Sequence, residues 1–568
     1  MYAHVLQAKR HRIYSPPMHC PTCAGRAGRR LRLFGSVCLA AAACCLGAQR
    51  THAGTTVTIT DCQSSTLVTA VKNHMSGDTI DLKPGCTYTF SGQYMSTGDA
   101  LPPVADVLTI NGAGDAFTAS ATGFRAVEAQ SGADLALDDL SVSGFTSPHE
   151  TNGGAILIDS GGTATIAACS FSSNAADEGS GGAIADGGTL AVTSSFLSGN
   201  AAQNGFPGGA LFTARGAAAA VNDSSLTGNT AADVGGAIQN DGTMTLSNST
   251  LAGNGQGTAA GGAIENAGGM TLSDSTLSAN RSAFVGGAID NTGTMTLTNT
   301  IVDASGSTGG GTCHGTLTDG GYNLEYDNGN PTTCGFSNHA INNLKPLLGN
   351  LLDNGGATPT MALLPSSPAV DAGDDTVCAT AAPPPVTNTG AGGADQRGVP
   401  RPQGKHCDIG AFEVDQPSMQ LTSSPATPSA GQPLTLTATV TPSTGNAGTP
   451  VGTVMFSDGS TVLGSKTLPD GPAVATWTTT PSAGTHVYRA TYAPGTSASA
   501  AGNGFFAATG TLQVTAGVPV PSTGAAAGLP VAAPPLVLGG GAVATVVLGA
   551  GLRERRDRAR RRRASPLR

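Results

Sequence analysis

Charged side chains are scarce in this 568-residue chain, at 11%, and aromatics scarcer still at 4%, with one tryptophan, Trp477. So few bulky side chains cannot fill one large globular interior, which points to an elongated array whose units pack only on their neighbours. Positive charge is nearly missing from the middle of the chain. Between Gly54 and Leu552 there are 11 Lys and Arg against 35 Asp and Glu, a formal charge of −24. An acidic exterior repels nucleic acid, so none is an expected partner.

Glycine is abundant, at 81 positions, and it keeps time. Gly-Gly-Ala followed by Ile or Leu recurs at Gly153, Gly181, Gly208, Gly235, Gly261 and Gly286. On the same beat run an aliphatic column (Ile166, Val192, Val221, Leu246, Leu272, Leu297) and a second one (Phe171, Leu197, Leu226, Leu251, Leu277, Val302). A third column is Asn174, Asn200, Asn229, Asn254 and Asn280, and Cys169 opens a fourth, otherwise Ser195, Ser224, Ser249, Ser275 and Thr300. Within a repeat, as in Thr243-Met244-Thr245-Leu246, apolar and polar residues alternate, the mark of a half-buried strand. Short strands joined by tight turns every 26 residues or so must wind into a coil, with equivalent strands paired in parallel at about 4.8 Å. The fold class expected is all-β: a right-handed parallel β-helix, then an immunoglobulin-like β-sandwich and a single C-terminal transmembrane helix.

Gly-Gly-Ala-Ile with Phe171-Ser172-Ser173-Asn174 resembles the repeat of the polymorphic outer-membrane proteins, which implies a parallel β-helix acting at a cell surface. Leu67, Ala70, Val71 and His74 or Met75 fall at helical spacing before a first strand at Asp78–Leu82, similar to the N-terminal cap of pectin-lyase-like β-helices. Less regular coils are expected from Leu101 to Glu150. Residues 313–415 carry Lys345-Pro346-Leu347-Leu348-Gly349, Asp353-Asn354-Gly355-Gly356, Asp395-Gln396-Arg397-Gly398 and Cys407-Asp408-Ile409-Gly410. They resemble the choice-of-anchor Q domain, implying final coils and a cap. Its Asp371, Asp395, Arg397 and Asp408 read as structural ion pairs and turns. Residues 418–516, with Gly452-Thr453-Val454-Met455-Phe456 and Asp458-Gly459, resemble bacterial Ig-like domains, which serve as spacers or adhesin modules.

The ends read as addresses. Arg26, Arg29, Arg30 and Arg32 precede an apolar run from Leu33 to Gly47 and a small-residue site before Gly54, the pattern of a secretory signal over residues 1–53. Export lets Cys62, Cys86, Cys313, Cys334, Cys378 and Cys407 oxidise. Their adjacency suggests Cys62–Cys86, Cys313–Cys334 and Cys378–Cys407, although sequence alone does not fix the pairing. At the other end, Val520, Pro521, Ser522, Thr523 and Gly524 stand in a linker (517–535) before an apolar stretch at 536–552 and an Arg-rich tail at 553–568. That order resembles a sortase sorting signal with Val in place of Leu, implying a sortase-type enzyme as a partner. A retained membrane anchor with a cytoplasmic tail is the other reading.

The expected boundaries are therefore a cap and first coils at 54–150, a repeat helix at 151–312, the region 313–415, the Ig-like unit and the anchor. Known β-helix lyases need a basic residue beside acidic calcium ligands, yet between Glu150 and Asp303 only Arg215 and Arg281 are basic. Glu265 and Asp290, each following Gly-Gly-Ala-Ile, should stack on adjacent coils about 5 Å apart. That spacing suits a retaining glycosidase pair or a calcium ligand pair, and equally a solvated face, which is the expectation. No catalytic residue, cofactor or metal centre is expected. The sequence reads as a secreted display or adhesion protein for glycans or cell-surface proteins, with a carbohydrate-active enzyme as the alternative.

Overall fold

The computed structural model describes residues 54–256, 260–303, 305–307, 311–328, 333–379, 392–468, 472–495 and 504–518. The signal region 1–53, the motif Val520–Gly524, the apolar stretch 536–552 and the tail 553–568 lie outside the described residues. Among those described, no helix is long and apolar enough to cross a membrane.

Residues 56–342 wind into a parallel β-solenoid of about 10 turns. Each repeat contributes three main strands, and most add a short fourth one such as Ala175–Ala176 or Ala201–Ala202. Face one is a ladder of eight, from Val127–Ala129 through Ile264–Asn266 and Ile289–Asn291 to Cys313–Gly315. Face two carries five-residue strands such as Thr243–Ser247 and Gly269–Ser273, and face three carries Ser225–Thr227, Thr250–Ala252, Thr276–Ser278 and Ile301–Asp303. Alternation sets the inward residues: in Thr243–Ser247, Met244 and Leu246 are buried while Thr243 is exposed. Val221, Leu246, Leu272 and Leu297 are consecutive register partners on face two, and Leu226, Leu251, Leu277 and Val302 on face three. All are at most 1% exposed, so apolar area is removed from water along one continuous core.

The corners explain the polar columns. Asn174, Asn200, Asn229, Asn254 and Asn280 form a buried ladder in which each Nδ2 donates to the next Oδ1 at 3.0–3.1 Å. Each amide also donates to a backbone carbonyl of the preceding coil, so the corner's main chain is satisfied without water. The serines do the same one strand earlier: the Ser195 N–H donates to Ser224 Oγ and the Ser224 N–H to Ser249 Oγ. Cys169 takes the first place in that column, buried and unpaired, with burial pushing its thiol up to about 12. Gly261 stands at φ +60°, and a Cβ there would meet the Ile264 carbonyl at 2.3 Å, so this corner admits only glycine.

The N-terminal helix Ser64–Asn73 covers the first coil, burying Leu67 and Val71. The first strand is Thr56–Thr58, earlier than the sequence pattern indicates, and pairs in parallel with Asp78–Asp81. Two exposed threonines around one valine give no alternation against a core, which is why it escapes a periodicity reading. Disulfides join Cys62 to Cys86, Cys313 to Cys334 and Cys378 to Cys407.

Beyond Ile341–Asn342 the chain departs from the expected final coils. After an antiparallel pair, Leu348–Leu352 with Thr360–Leu363, it returns along the outside of face three. The outward residues there, Ser225, Thr250, Thr276 and Ile301, are at most 2% exposed because this return segment covers them. Gln396 is its key: its Nε2 donates to Ser225 Oγ at 2.7 Å while its Oε1 accepts from Thr250 Oγ1 at 2.6 Å. Ile301, Leu324, Ile409, Phe412 and Val414 form the apolar seam.

The β-sandwich packs a three-stranded sheet (Ser418–Ser424, Leu434–Thr441, Val474–Thr479) on a four-stranded one (Thr461–Thr467, Gly452–Asp458, Gly484–Pro494, Ala508–Ala516). Leu434, Leu436, Val454, Phe456, Tyr488 and Tyr492 fill it, with Val399 of the return segment in the same core.

Candidate functional site

Each face-one strand turns a single side chain outward, and these form a column: Glu128, Leu157, Ala185, Phe212, Gln239, Glu265, Asp290, His314. The structure brings Glu265 and Asp290 together as register partners on adjacent coils. They are not a solvated face. Glu265 is 7% and Asp290 8% exposed, because each nests between its column neighbours. Burial, reinforced by the charges of Asp290 and Asp241, pushes the Glu265 carboxyl up to about 7. Thr292 Oγ1 donates to Glu265 Oε1 at 3.3 Å, whereas Oε2 has no hydrogen-bond partner among the described residues. Asp290 differs: its Oδ1 lies 2.7 Å from Nδ1 of His314. His314 went unnoticed in the sequence because it lies one coil beyond the last Gly-Gly-Ala-Ile, where the motif no longer marks the column. The two carboxyls therefore sit in unlike surroundings, and burial suits Glu265 to holding a proton.

A second polar centre lies where the return segment meets the sandwich. Asp395 and Arg397 are fully buried and joined by two bonds, 2.9 Å from Nε and 2.7 Å from Nη2. Arg397 also lies 3.5 Å over the Phe412 ring and donates to the carbonyls of Asn354 and Ala447, the latter in the sandwich. Ser443 of the sandwich donates its N–H to Asp415 at 3.0 Å. Arg401, buried as well, donates to the carbonyls of Asp408 and Gly410 and lies 3.9 Å from both Asp274 and Glu413. Burial raises the carboxyls of Asp274, Asp408 and Glu413, the last to about 7. Asp371 accepts the N–H groups of Lys405 and His406, closing a turn. This network binds solenoid, return segment and sandwich to one another.

Reading the sequence also missed the column beneath it. The residue before each corner serine or threonine is Ser194, Asp223, Asn248, Asp274 and Asn299, all in the left-handed conformation at φ +46° to +51°. The signal was present, since Asn and Asp tolerate that conformation best among residues with a Cβ.

Residues 421–515 match the family model of a bacterial Ig-like domain (group 3). No curated protein and no solved structure matches the chain.

Proposed function

We propose that this chain is a cell-surface display or adhesion protein, in which the solenoid is the presented surface and the Ig-like domain its mount. The observation that carries the reading is the junction: buried Arg397 ties the solenoid's return segment to the Ig-like domain, so the two are held as one body rather than hinged. A rigid mount transmits load and sets a binding face at a fixed distance from its support. The threonine-, serine- and asparagine-rich coils offer hydroxyls and amides suited to glycans or to neighbouring cell surfaces. The likeness of 313–415 to the choice-of-anchor Q domain supports the reading, as does the right-handed, pectin-lyase-like pattern of the coils. So does the order of Val520–Gly524, apolar stretch and arginines, which supports secretion and C-terminal tethering by membrane or sortase. A glycan array and a cell-adhesion assay with the full chain test this. Saturable binding to a glycan class or cell type upholds the proposal, and inert behaviour in both removes it.

One observation favours a second reading, a secreted carbohydrate-active enzyme. A carboxyl raised to about 7 beside a neighbouring carboxylate, Glu265 with Asp290, is what a glycosidase acid needs. Release of reducing ends or unsaturated sugars by the chain, abolished in Glu265→Gln, would establish it.

A further inference from the structure

The return segment answers the corner column residue by residue. Asn248 donates from Nδ2 to the Ala394 carbonyl at 3.0 Å. Asp274 faces Arg401 at 3.9 Å. Asn299 accepts the Asp374 N–H at Oδ1, 2.8 Å, and donates from Nδ2 to the Asp374 carbonyl at 3.2 Å. At the next coil the covering stops. Thr358 Oγ1 reaches only the main-chain carbonyl of Asp223, at 3.2 Å. Among the described residues, no group of the return segment is hydrogen-bonded to the Asp223 carboxyl.

In its place is a cleft of about 440 Å³, walled by Ser194 and Asp223 of the solenoid, Gly356 and Asp395–Gly398 of the return segment, and Asn446 of the Ig-like domain. Three parts of the chain distant in sequence converge on it. Its lining includes no aromatic side chain on which a sugar ring would stack.

We propose that this cleft binds the guanidinium of an arginine side chain presented by a partner polypeptide, with the Asp223 carboxylate as its counter-ion. The solenoid supplies its own precedent, since Asp274 is the same corner position two coils on and is met by the guanidinium of Arg401. The local cations are already engaged. Arg397 is spent on Asp395, and Arg401 is held between Asp274 and Glu413. Asp223 is therefore the cleft acid without a cation of its own. Burial, with the nearby charge of Asp395, pushes its carboxyl up to about 7, while a side-chain hydrogen bond with Asn248 and the charge of Arg401 pull the other way. A cation entering the cleft relieves both effects. Ser194 and Asn446 add further polar side chains to the lining around a planar, five-donor head. The site stands whether or not the chain is an adhesin, and its test reads the cleft alone.

The test is calorimetric titration of the full chain with N-acetyl-arginine amide and with its neutral isostere, N-acetyl-citrulline amide. Arginine is expected to bind at pH 8 with a Kd on the order of 1 mM, the range for one side chain. Binding should weaken about tenfold or more for citrulline, for the Asp223→Asn chain, and for the wild-type chain at pH 5.5, where the carboxyl is protonated. Asn already occupies this corner at positions 248 and 299, so Asp223→Asn should fold, and an unchanged melting profile checks that. Equal binding of the two ligands, unaltered binding in Asp223→Asn, or no arginine binding at all would overturn the proposal.

Discussion

The side-chain amide of Asn254 donates to Oδ1 of Asn280, 26 positions further on, at 3.0 Å, and the two residues are at most 1% exposed. The same bond recurs up the corner, so each asparagine satisfies its neighbour's main chain as well as its side chain. Asn254→Ala would orphan the Asn229 N–H and the Leu226 carbonyl. A loss of about 2–4 kcal/mol is expected in denaturant unfolding. The exposed Thr271→Ala should change stability by less than about 0.5 kcal/mol.

Arg397 is the residue on which the junction turns. Arg397→Ala leaves Asp395 buried without its cation, which should cost about 3–5 kcal/mol. Limited proteolysis should then cut between the solenoid and the Ig-like domain. Arg397→Lys should not restore resistance, because a single ammonium nitrogen cannot supply both the Nε and Nη2 bonds that converge on Asp395 Oδ2, nor the flat contact with Phe412.

Acid should stabilise this protein, at least through Glu265. Its folded carboxyl titrates near 7, above the ordinary glutamate value, so between about pH 4.5 and 7 the folded state holds more protons than the unfolded one. Stability then falls as pH rises through that window. Glu265→Gln should remove this part of the slope and raise stability at pH 8 by about 2–3 kcal/mol. Chemical denaturation at pH 5 and pH 8 reads the difference.

Cys378 and Cys407 close a loop 29 residues long in the return segment. Replacing both by serine should cost about 3–4 kcal/mol from the unfolded chain's regained freedom. The loosening should expose face three, read as faster amide exchange at Thr250 and Thr276.

The coils were legible because like stacks on like: a residue such as Leu246 needs its counterpart at Leu272, so the fold writes its period into the sequence. The cap helix and the sandwich were legible through spacing and alternation. The path of the return segment was not, because covering a wall requires no period; Ile301, an aliphatic where an outward polar residue was expected, was one trace of it. At the candidate site the pairing of Glu265 with Asp290 followed from the beat alone. Their burial did not, since it depends on how deeply a one-residue column nests between its neighbours. Asp223 was invisible for a related reason, its significance lying in what fails to cover it.

Spin labels at Thr163 and Thr294 test the stacking directly. These residues are joined by five register steps along face two, through Thr189, Ala218, Thr243 and Gly269. In a chain beginning at Gly54, Cys169 is buried with its thiol pushed up to about 12, and the other six cysteines are in disulfides, so the two introduced cysteines alone should take label. Pulsed dipolar spectroscopy should give one narrow distance centred near 24 Å, five steps of about 4.8 Å. A broad distribution, or a centre beyond about 40 Å, would contradict coils stacked in parallel register.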